Sequence, residues 1–410
     1  MVERMTERTT ERKTERMTER TGILVLNAIS ASGLSRLPAE RYRVGKDVSE
    51  PDAVLLRSAD MHGMAIASSV RAIGRAGAGT NNIPVDAMSA RGVPVFNAPG
   101  ANANAVKELV LLGMLMAARN VAPALRFVDK LDVASPALDK TVEDGKKAYA
   151  GYELVGQTLG IIGLGKIGCM VADAAIKLGM NVLGYDPHIT VDAAWSLPSQ
   201  VKRAASVNDV LRSAQFVSLH VPLAESTRGL VNAANIGLMR QSAVLLNFSR
   251  DGVVSDEAVV EALAAQRLAH YVCDFPSAVL HGQAGVVALP HLGASTREAE
   301  ENCAVMVVDQ LRDYLEHGNV NNAVNFPQVA MPRESRWRVA IANANVPNML
   351  GQISTTMANA GLNIHNMVNK SRGDMAYTLV DVDSPVGDAV LASLRGIQGV
   401  LAVRYMPEAQ

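Results

Sequence analysis

The sequence predicts an α/β protein with two parallel sheets, each covered by helices, followed by a smaller βαββαβ unit. Three observations carry this. Short apolar runs alternate with helical stretches from Gly22 to about residue 317, the pattern of parallel strands joined by crossover helices. One of those runs ends in a glycine-rich turn that opens a helix. Residues 335–410 then repeat a shorter strand–helix–strand–strand–helix–strand order, a ferredoxin-like half-open sheet. The 410 residues suffice for two to three domains at roughly 150 residues each.

The first unit reads as strands at Ile23–Leu26, Ala53–Leu56, Ala72–Arg75 and Val93–Phe96. An apolar helix over about Val106–Asn120 leads away from it, and its all-round hydrophobicity predicts burial between domains or subunits. Residues 129–152 are polar and rich in Lys, Asp and Gly, and read as a connecting loop. The second series has strands at Thr158–Ile162, Asn181–Tyr185, Phe216–His220, Ala243–Asn247, His270–Asp274 and Val286–Leu289, with helices near 166–178, 256–265 and 297–317. Gly318–Ser335, rich in Asn and Pro, reads as a linker. Beyond it, strands at Trp337–Ala342, Asn363–Met367, Met375–Val382 and Val400–Tyr405 alternate with helices around Met349–Met357 and Asp388–Leu394.

Composition excludes several classes. Apolar residues make up 49% and charged residues 19%, which rules out global disorder. A net charge of −1, from 39 Lys+Arg against 40 Asp+Glu, gives no general attraction to nucleic acid or to acidic lipid. The longest relevant apolar run, Leu109–Ala118, is ten residues, where a membrane span needs about 20. Cys169, Cys273 and Cys303 are odd in number and lack CxxC spacing, so no disulfide framework or metal site is expected and a reducing cytoplasm is. Residues 1–21 are a four-residue Met/Thr-Glu-Arg repeat with too little apolar surface to dock, and read as a disordered tail.

The strongest motif is Gly163-Leu-Gly165-Lys166-Ile167-Gly168, directly after an apolar strand and opening a helix. Gly163 permits the tight turn, Gly165 lets the backbone approach a pyrophosphate, and Gly168 allows close packing of helix on strand. The helix N-terminus offers free N–H groups to phosphates. Asp186 ends the next strand, 23 residues beyond Gly163. A carboxylate there accepts hydrogen bonds from a ribose and repels a 2′-phosphate, so NAD is favoured over NADP. The bland alternative, a glycine turn that only packs a helix, leaves the strand, helix and acid together unexplained. No such loop follows the first strand of the N-terminal unit. That unit is therefore expected to hold substrate, with the active site between the two.

Two residues stand at predicted strand ends, where ligands bind in open α/β sheets. Arg250, in Asn-Phe-Ser-Arg-Asp-Gly, can grip a carboxylate bidentately. His291, in Pro-His-Leu-Gly-Ala, carries an imidazole, the side chain best suited to act as base or acid. Taken singly, a surface salt bridge and a capping or core histidine explain them as well.

Together the stretches 57–61 (RSADM), 77–110 (GAGTNNIPVDAMSARGVPVFNAPGANANAVKELV), 156–168 (GQTLGIIGLGKIG), 185–187 (YDP), 220–231 (HVPLAESTRGLV), 247–254 (NFSRDGVV) and 290–296 (PHLGAST) resemble the D-isomer-specific 2-hydroxyacid dehydrogenases. The similarity is to the phosphoglycerate-oxidising branch with a C-terminal ACT domain. The resemblance implies a flavodoxin-like substrate domain over 22–103 with 297–325, an inserted NAD-binding Rossmann domain over 104–296, and an ACT regulatory domain over 335–410. It implies NAD-dependent oxidation of 3-phospho-D-glycerate, with His291 as acid/base and Arg250 as substrate clamp. Ala78 and Gly79 amides would bind the substrate carboxylate, and Arg57 and Ser58 would orient substrate. Lys166, Ile167, Pro187, Pro222, Thr227 and Gly293 would line the cofactor, and Asp274 would hold the nicotinamide carboxamide. Other D-2-hydroxy acids such as glycerate, or a non-catalytic NAD sensor on the same scaffold, remain alternatives.

One departure matters. The family has a glutamate about five residues beyond that aspartate, which hydrogen-bonds the catalytic histidine. The stretch after Asp274 reads Phe-Pro-Ser-Ala-Val and holds no carboxylate. Asp274 is expected to take both roles. Lys146 and Lys147 are either phosphate contacts, from a neighbouring subunit, or solvated charges. In the ACT unit the family's effector positions read Asn343, Asn345 and Asn363, implying an L-serine effector, although turn-forming asparagines are the plain alternative. The resemblance also implies a homodimer or homotetramer.

Overall fold

A computed structural model describes residues 20–408; the repeat tail lies almost wholly outside these residues. The first strand, β1, already begins at Thr21 and runs to Val25, so the tail boundary at 21 is one residue too late. The described chain divides into two compact units: one runs to Ala101 and resumes at Glu300, and the other is Asn102–Ala299.

The first unit holds a five-stranded parallel sheet in the order β2-β1-β3-β4-β5. Its other strands are β2 (Tyr42–Gly45), β3 (Ala53–Leu56), β4 (Ala72–Arg75) and β5 (Val95–Phe96). This is a flavodoxin-like order, as the family resemblance implies. β3 is buried along its whole length, which explains its unbroken apolar run. The short edge strand β2 has only Tyr42 buried, and its weak pattern hid it.

The second unit carries seven parallel strands ordered β12-β11-β10-β9-β6-β7-β8. They are β6 (Thr158–Ile162), β7 (Asn181–Tyr185), β8 (Lys202–Arg203), β9 (Phe216–Leu219), β10 (Ala243–Asn247), β11 (Leu268–Cys273) and β12 (Val286–Ala288). The order reverses between β6 and β9, the switch point of a Rossmann sheet. The predicted apolar helix is two helices, Ala103–Ala118 and Val121–Val128, broken at Asn120, whose φ is +50°. Val110, Met114 and Ala117 of the first face the core, while Leu112 and Leu115 are exposed, so burial is one-sided. The predicted loop 129–152 contains a helix at Leu138–Gly145 and a 3-10 turn at Lys146–Tyr149. Neither buries a residue, and its Lys- and Asp-rich composition masked it. Lys146 and Lys147 pair with Glu143 and Asp144 on this exposed surface.

The C-terminal unit is βαββαβ, in the sheet order β14-β15-β13-β16. Its strands are β13 (Trp337–Ala344), β14 (Ile364–Arg372), β15 (Met375–Val382) and β16 (Val400–Pro407), all antiparallel. Two helices, Met349–Asn359 and Asp388–Arg395, cover one face. The other face shares a core with the five-stranded sheet: Ala340, Ala342, Tyr377 and Leu379 pack with Phe96, Val307, Leu311 and Tyr314. The Asn/Pro-rich stretch read as a linker is part of that core, since Val320, Phe326, Val329 and Met331 are buried.

Arg338 fastens this junction. It is fully buried, as is Asp381, and all five of its N–H donors are used. Nε and Nη2 donate to Asp381 at 2.6 and 2.8 Å, Nη1 to the carbonyls of His317 and Met331, and Nη2 to that of Pro332. A fully hydrogen-bonded buried pair is tolerated, but half of one is not. Asp381→Asn is expected to lower the unfolding free energy by about 3–5 kcal/mol, and Arg338→Met with Asp381→Leu to recover most of the loss. Urea unfolding of the three proteins checks this; equal stability of Asp381→Asn and wild type contradicts it.

Candidate active site

The glycine motif sits where β6 meets the helix Lys166–Lys177. Gly163 has φ +94°, and a Cβ there would lie 2.4 Å from the His220 carbonyl oxygen. A Cβ on Gly168 would lie 2.1 Å from the Gly163 carbonyl oxygen. Both positions therefore require glycine. Gly165 is the N-cap and supplies no side-chain acceptor, so no cap covers the helix's first-turn amides at Lys166, Ile167 and Gly168, and nothing lies within 4 Å of where its Cβ would be. Asp186, just past β7, accepts from the Leu164 amide at 2.8 Å and the His188 amide at 2.9 Å. These bonds hold the carboxylate beside the turn, with Pro187 following. The uncapped helix end, the open space at Gly165 and the anchored carboxylate fit a dinucleotide.

The loop after β9 packs against the turn through His220 and Val221. The Thr227 hydroxyl closes this loop, donating to the Pro222 carbonyl at 2.5 Å and accepting from the Ala224 amide.

Arg250, Asp274 and His291 follow β10, β11 and β12, three adjacent strands. β10 and β12 lie about 10 Å apart at the usual strand spacing, within reach of an arginine and a histidine aimed at one small molecule. Arg250 is exposed, its Nη1 donates to the Ser249 carbonyl at 2.6 Å, and no carboxylate pairs with it among the described residues. Asn247 braces the turn, donating to the Arg250 carbonyl and accepting from the Ser249 amide and hydroxyl. The surface-salt-bridge explanation of Arg250 therefore fails.

Asp274 is 1% exposed. Its two carboxylate oxygens accept from the Leu292 and Gly293 amides, each at 2.7 Å, and its carbonyl accepts from the His291 amide at 3.1 Å. His291 is held at φ +58°, a conformation non-glycine residues seldom adopt. Burial pushes the Asp274 carboxyl up, opposed by those two amides and by nearby His291. No hydrogen bond joins its carboxylate to the His291 ring. The expected Asp274–imidazole couple is thus corrected: the carboxylate is committed to the main chain. The ring instead meets Phe275 edge-on, with centroids 5.1 Å apart and planes at 66°.

In the other unit the predicted substrate residues also follow adjacent strands. Asn27, beyond β1, accepts from the Arg57 amide at 2.8 Å and donates to the Ser58 hydroxyl at 2.9 Å. Asn82 donates to the carbonyls of Arg57 and Ala59, and Asn97 to that of Ala78. The amides of Ala78 and Gly79 donate to no acceptor among the described residues. Three bracing asparagines thus shape two loops. Sequence reasoning missed them, because an asparagine after a strand looks like any turn former. Arg57 pairs with Glu300 at 2.7 Å.

The asparagines of the C-terminal unit do not come together in one chain. Asn343 and Asn345 lie at the Met375 end of β13, whereas Asn363 adjoins Asp383 beyond the opposite end of β15. The separation is about 20 Å at the usual strand rise. Asn343 is buried, with its Oδ1 lacking a partner.

His220 gives a pH test. Its Nε2 lies 2.9 Å from the Ser218 hydroxyl, Nδ1 is sealed without a partner, and burial pushes the imidazole down to about 4. The unfolded ring titrates near 6.5. As pH falls, the unfolded state takes the proton first, so stability is lost between about pH 6.5 and 4. The loss is about 3 kcal/mol. His220→Gln should remove this slope from the unfolding free energy; an unchanged slope contradicts the assignment.

Comparison with known proteins agrees with this geometry. The family model for the D-isomer specific 2-hydroxyacid dehydrogenase NAD binding domain matches residues 111–293. D-3-phosphoglycerate dehydrogenase of Haemophilus influenzae is 33% identical over 343 residues, covering 80% of this chain and 79% of the relative. That of Escherichia coli K12 is 33% identical over 356 residues, covering 83% and 82%. Among solved structures, the TT0316 protein of Thermus thermophilus matches with a TM-score of 0.60 at 26% identity, over 74% of this chain and 100% of that one. The NAD+-bound 3-phosphoglycerate dehydrogenase of Entamoeba histolytica shares the fold, with a TM-score of 0.58 at 24% identity, over 75% and 99%. The chain belongs to the D-isomer-specific 2-hydroxyacid dehydrogenases, and its seven-stranded unit carries that family's NAD-binding domain.

Proposed function

We propose that this chain oxidises 3-phospho-D-glycerate to 3-phosphohydroxypyruvate with NAD, the entry to L-serine synthesis. The observation that carries the reading is an exposed guanidinium without an acidic partner, Arg250, and an exposed imidazole, His291. Both stand on the sheet edge that bears the glycine turn. The relatives named D-3-phosphoglycerate dehydrogenase support the choice of substrate.

Bound at the glycine turn, NAD supplies the hydride acceptor. The amides of Lys166, Ile167 and Gly168 would hold its pyrophosphate and Asp186 its ribose, and Pro187, Pro222, Thr227 and Gly293 would line it. Arg250 grips the substrate carboxylate in a bidentate pair. Its positive charge also stabilises negative charge growing on the C2 oxygen. His291 accepts the C2 hydroxyl proton as a general base. Ala78 and Gly79 offer two free amides to the carboxylate, and Arg57 with Ser58 meets the phosphate end. Asp274 serves as the clamp on the histidine turn, so the nicotinamide carboxamide has only its remaining lone pairs to use.

The chain is proposed to assemble as a homodimer or homotetramer. Support comes from Leu112, Leu115, Leu125 and Val128, which are 44–58% exposed on the paired helices Ala103–Ala118 and Val121–Val128. Among the described residues no single helix is long and apolar enough to cross a membrane. This surface is proposed for a second copy, and the chain for the cytoplasm. An L-serine site using Asn343, Asn345 and Asn363 needs two copies of the C-terminal unit.

NADH oxidation is expected to be fastest with 3-phosphohydroxypyruvate among that acid, hydroxypyruvate, glyoxylate and 2-oxoglutarate. His291→Asn should lower kcat about 10³-fold and Arg250→Gln about 10²-fold. A preference for an unphosphorylated acid moves the assignment to another 2-hydroxyacid dehydrogenase. Absence of turnover with all four leaves a dinucleotide-binding protein. Leu125→Glu should shift the sedimentation coefficient towards the monomer; an unchanged value moves the interface elsewhere.

A further inference from the structure

An imidazole that works as a base must present one particular nitrogen to its substrate. Ring flips about its last torsion are easy unless a hydrogen bond or packing stops them. Among the described residues the His291 ring has no hydrogen-bond partner, because the nearby carboxylate of Asp274 is committed to the Leu292 and Gly293 amides. The main chain of His291 is fixed on both sides by those bonds and by its own bond to the Asp274 carbonyl. Its side chain protrudes into solvent. What meets it is Phe275, one residue past the clamp, with its ring 5.1 Å from the imidazole at 66°. Offset and edge-on ring pairs of this kind favour one relative orientation. Phe275 itself is half-buried and is fixed from below by the β11 strand end, where its carbonyl lies 3.5 Å from the Cys273 thiol.

We propose that Phe275 is a positioning residue for His291, holding the imidazole plane by an edge-on aromatic contact in place of a hydrogen-bonded carboxylate. This rests on His291 as the base. Asp274 fixes where the ring begins, and Phe275 fixes which way it faces. The division has a chemical consequence. A carboxylate partner restrains the ring and stabilises its protonated form, whereas an aromatic partner restrains it without adding a negative charge. Asp274 lies close enough for its charge to be felt at His291, but it makes no hydrogen bond to the ring.

The test uses the full-length protein and the variants Phe275→Leu and Phe275→Tyr. Leucine keeps an apolar side chain but removes the ring; tyrosine keeps the ring. Phe275→Leu is expected to lower kcat with 3-phosphohydroxypyruvate about tenfold while KM stays within about twofold, and Phe275→Tyr to restore kcat to within about twofold of wild type. In parallel, NMR of side-chain-labelled histidine, assigned with His291→Asn, should give one sharp ring environment in wild type and Phe275→Tyr. The His291 signal should broaden or average in Phe275→Leu. An unchanged kcat together with an unchanged ring spectrum in Phe275→Leu overturns the proposal. So does a tyrosine variant as impaired as the leucine one. If the wild type turns over none of the acids, the proposed reaction falls, and the spectrum alone then decides whether Phe275 orients the ring.

Discussion

The parallel sheet is the constraint from which the rest follows. In a parallel sheet every crossover returns the chain to the same edge, so every strand delivers its following loop to one side. In the seven-stranded unit this gathers residues spread from Gly163 to His291 along a single edge. A glycine turn, an anchored carboxylate, a guanidinium and an imidazole therefore line one edge with no local sequence relation. The five-stranded unit applies the same rule to Asn27, Arg57 and Ala78, which follow β1, β3 and β4. Most loop amides there are taken up by turns and side chains, but among the described residues those at Lys166 and Ala78 have no partner, which is what anionic ligands need.

On that edge, control of the candidate base passes through the main chain. A buried carboxylate normally needs strong hydrogen-bond partners to offset its desolvation. Asp274 finds them in two consecutive amides of the turn that carries His291. The carboxylate is thereby satisfied, and the turn is held in a left-handed conformation that costs a histidine free energy. Arg250 is treated similarly: Asn247 fixes its turn through backbone and hydroxyl contacts and leaves most of the guanidinium for a ligand.

Much of this was legible in the residues, and what was not has physical reasons. Central strands such as β3, β6 and β10 are buried on both faces and read as apolar runs, so they stood out. The edge strands β2 and β8 are short and largely polar on their outer side, and did not. Gly163 is forced by its own φ of +94° and Gly168 by the Gly163 carbonyl five residues earlier, both local constraints, which is why their spacing is informative. The partner of a carboxylate is different. Nothing near Asp274 in sequence says that it spends both oxygens on Leu292 and Gly293, 18 and 19 residues away. The stretch 318–335 misled for a related reason. Its Asn and Pro content reads as linker, yet a few apolar side chains among them fill the junction that Arg338 seals from the other side.

The shared core makes the C-terminal unit continuous with the five-stranded sheet rather than a free appendage. The helix Arg297–His317 begins six residues after His291 and ends on a carbonyl bonded to Arg338, so the five-stranded sheet and the C-terminal unit of one compact unit rest on the same rod. In the proposed reaction the C2 hydrogen of a 2-hydroxy acid leaves as hydride while His291 removes the hydroxyl proton. Oxidation of 3-phospho-D-glycerate deuterated at C2, with NAD in ordinary water, tests it most directly. The account predicts that the deuterium is recovered on the reduced nicotinamide. Recovery of the label in solvent, or nucleotide reduction that carries none of it, would contradict it.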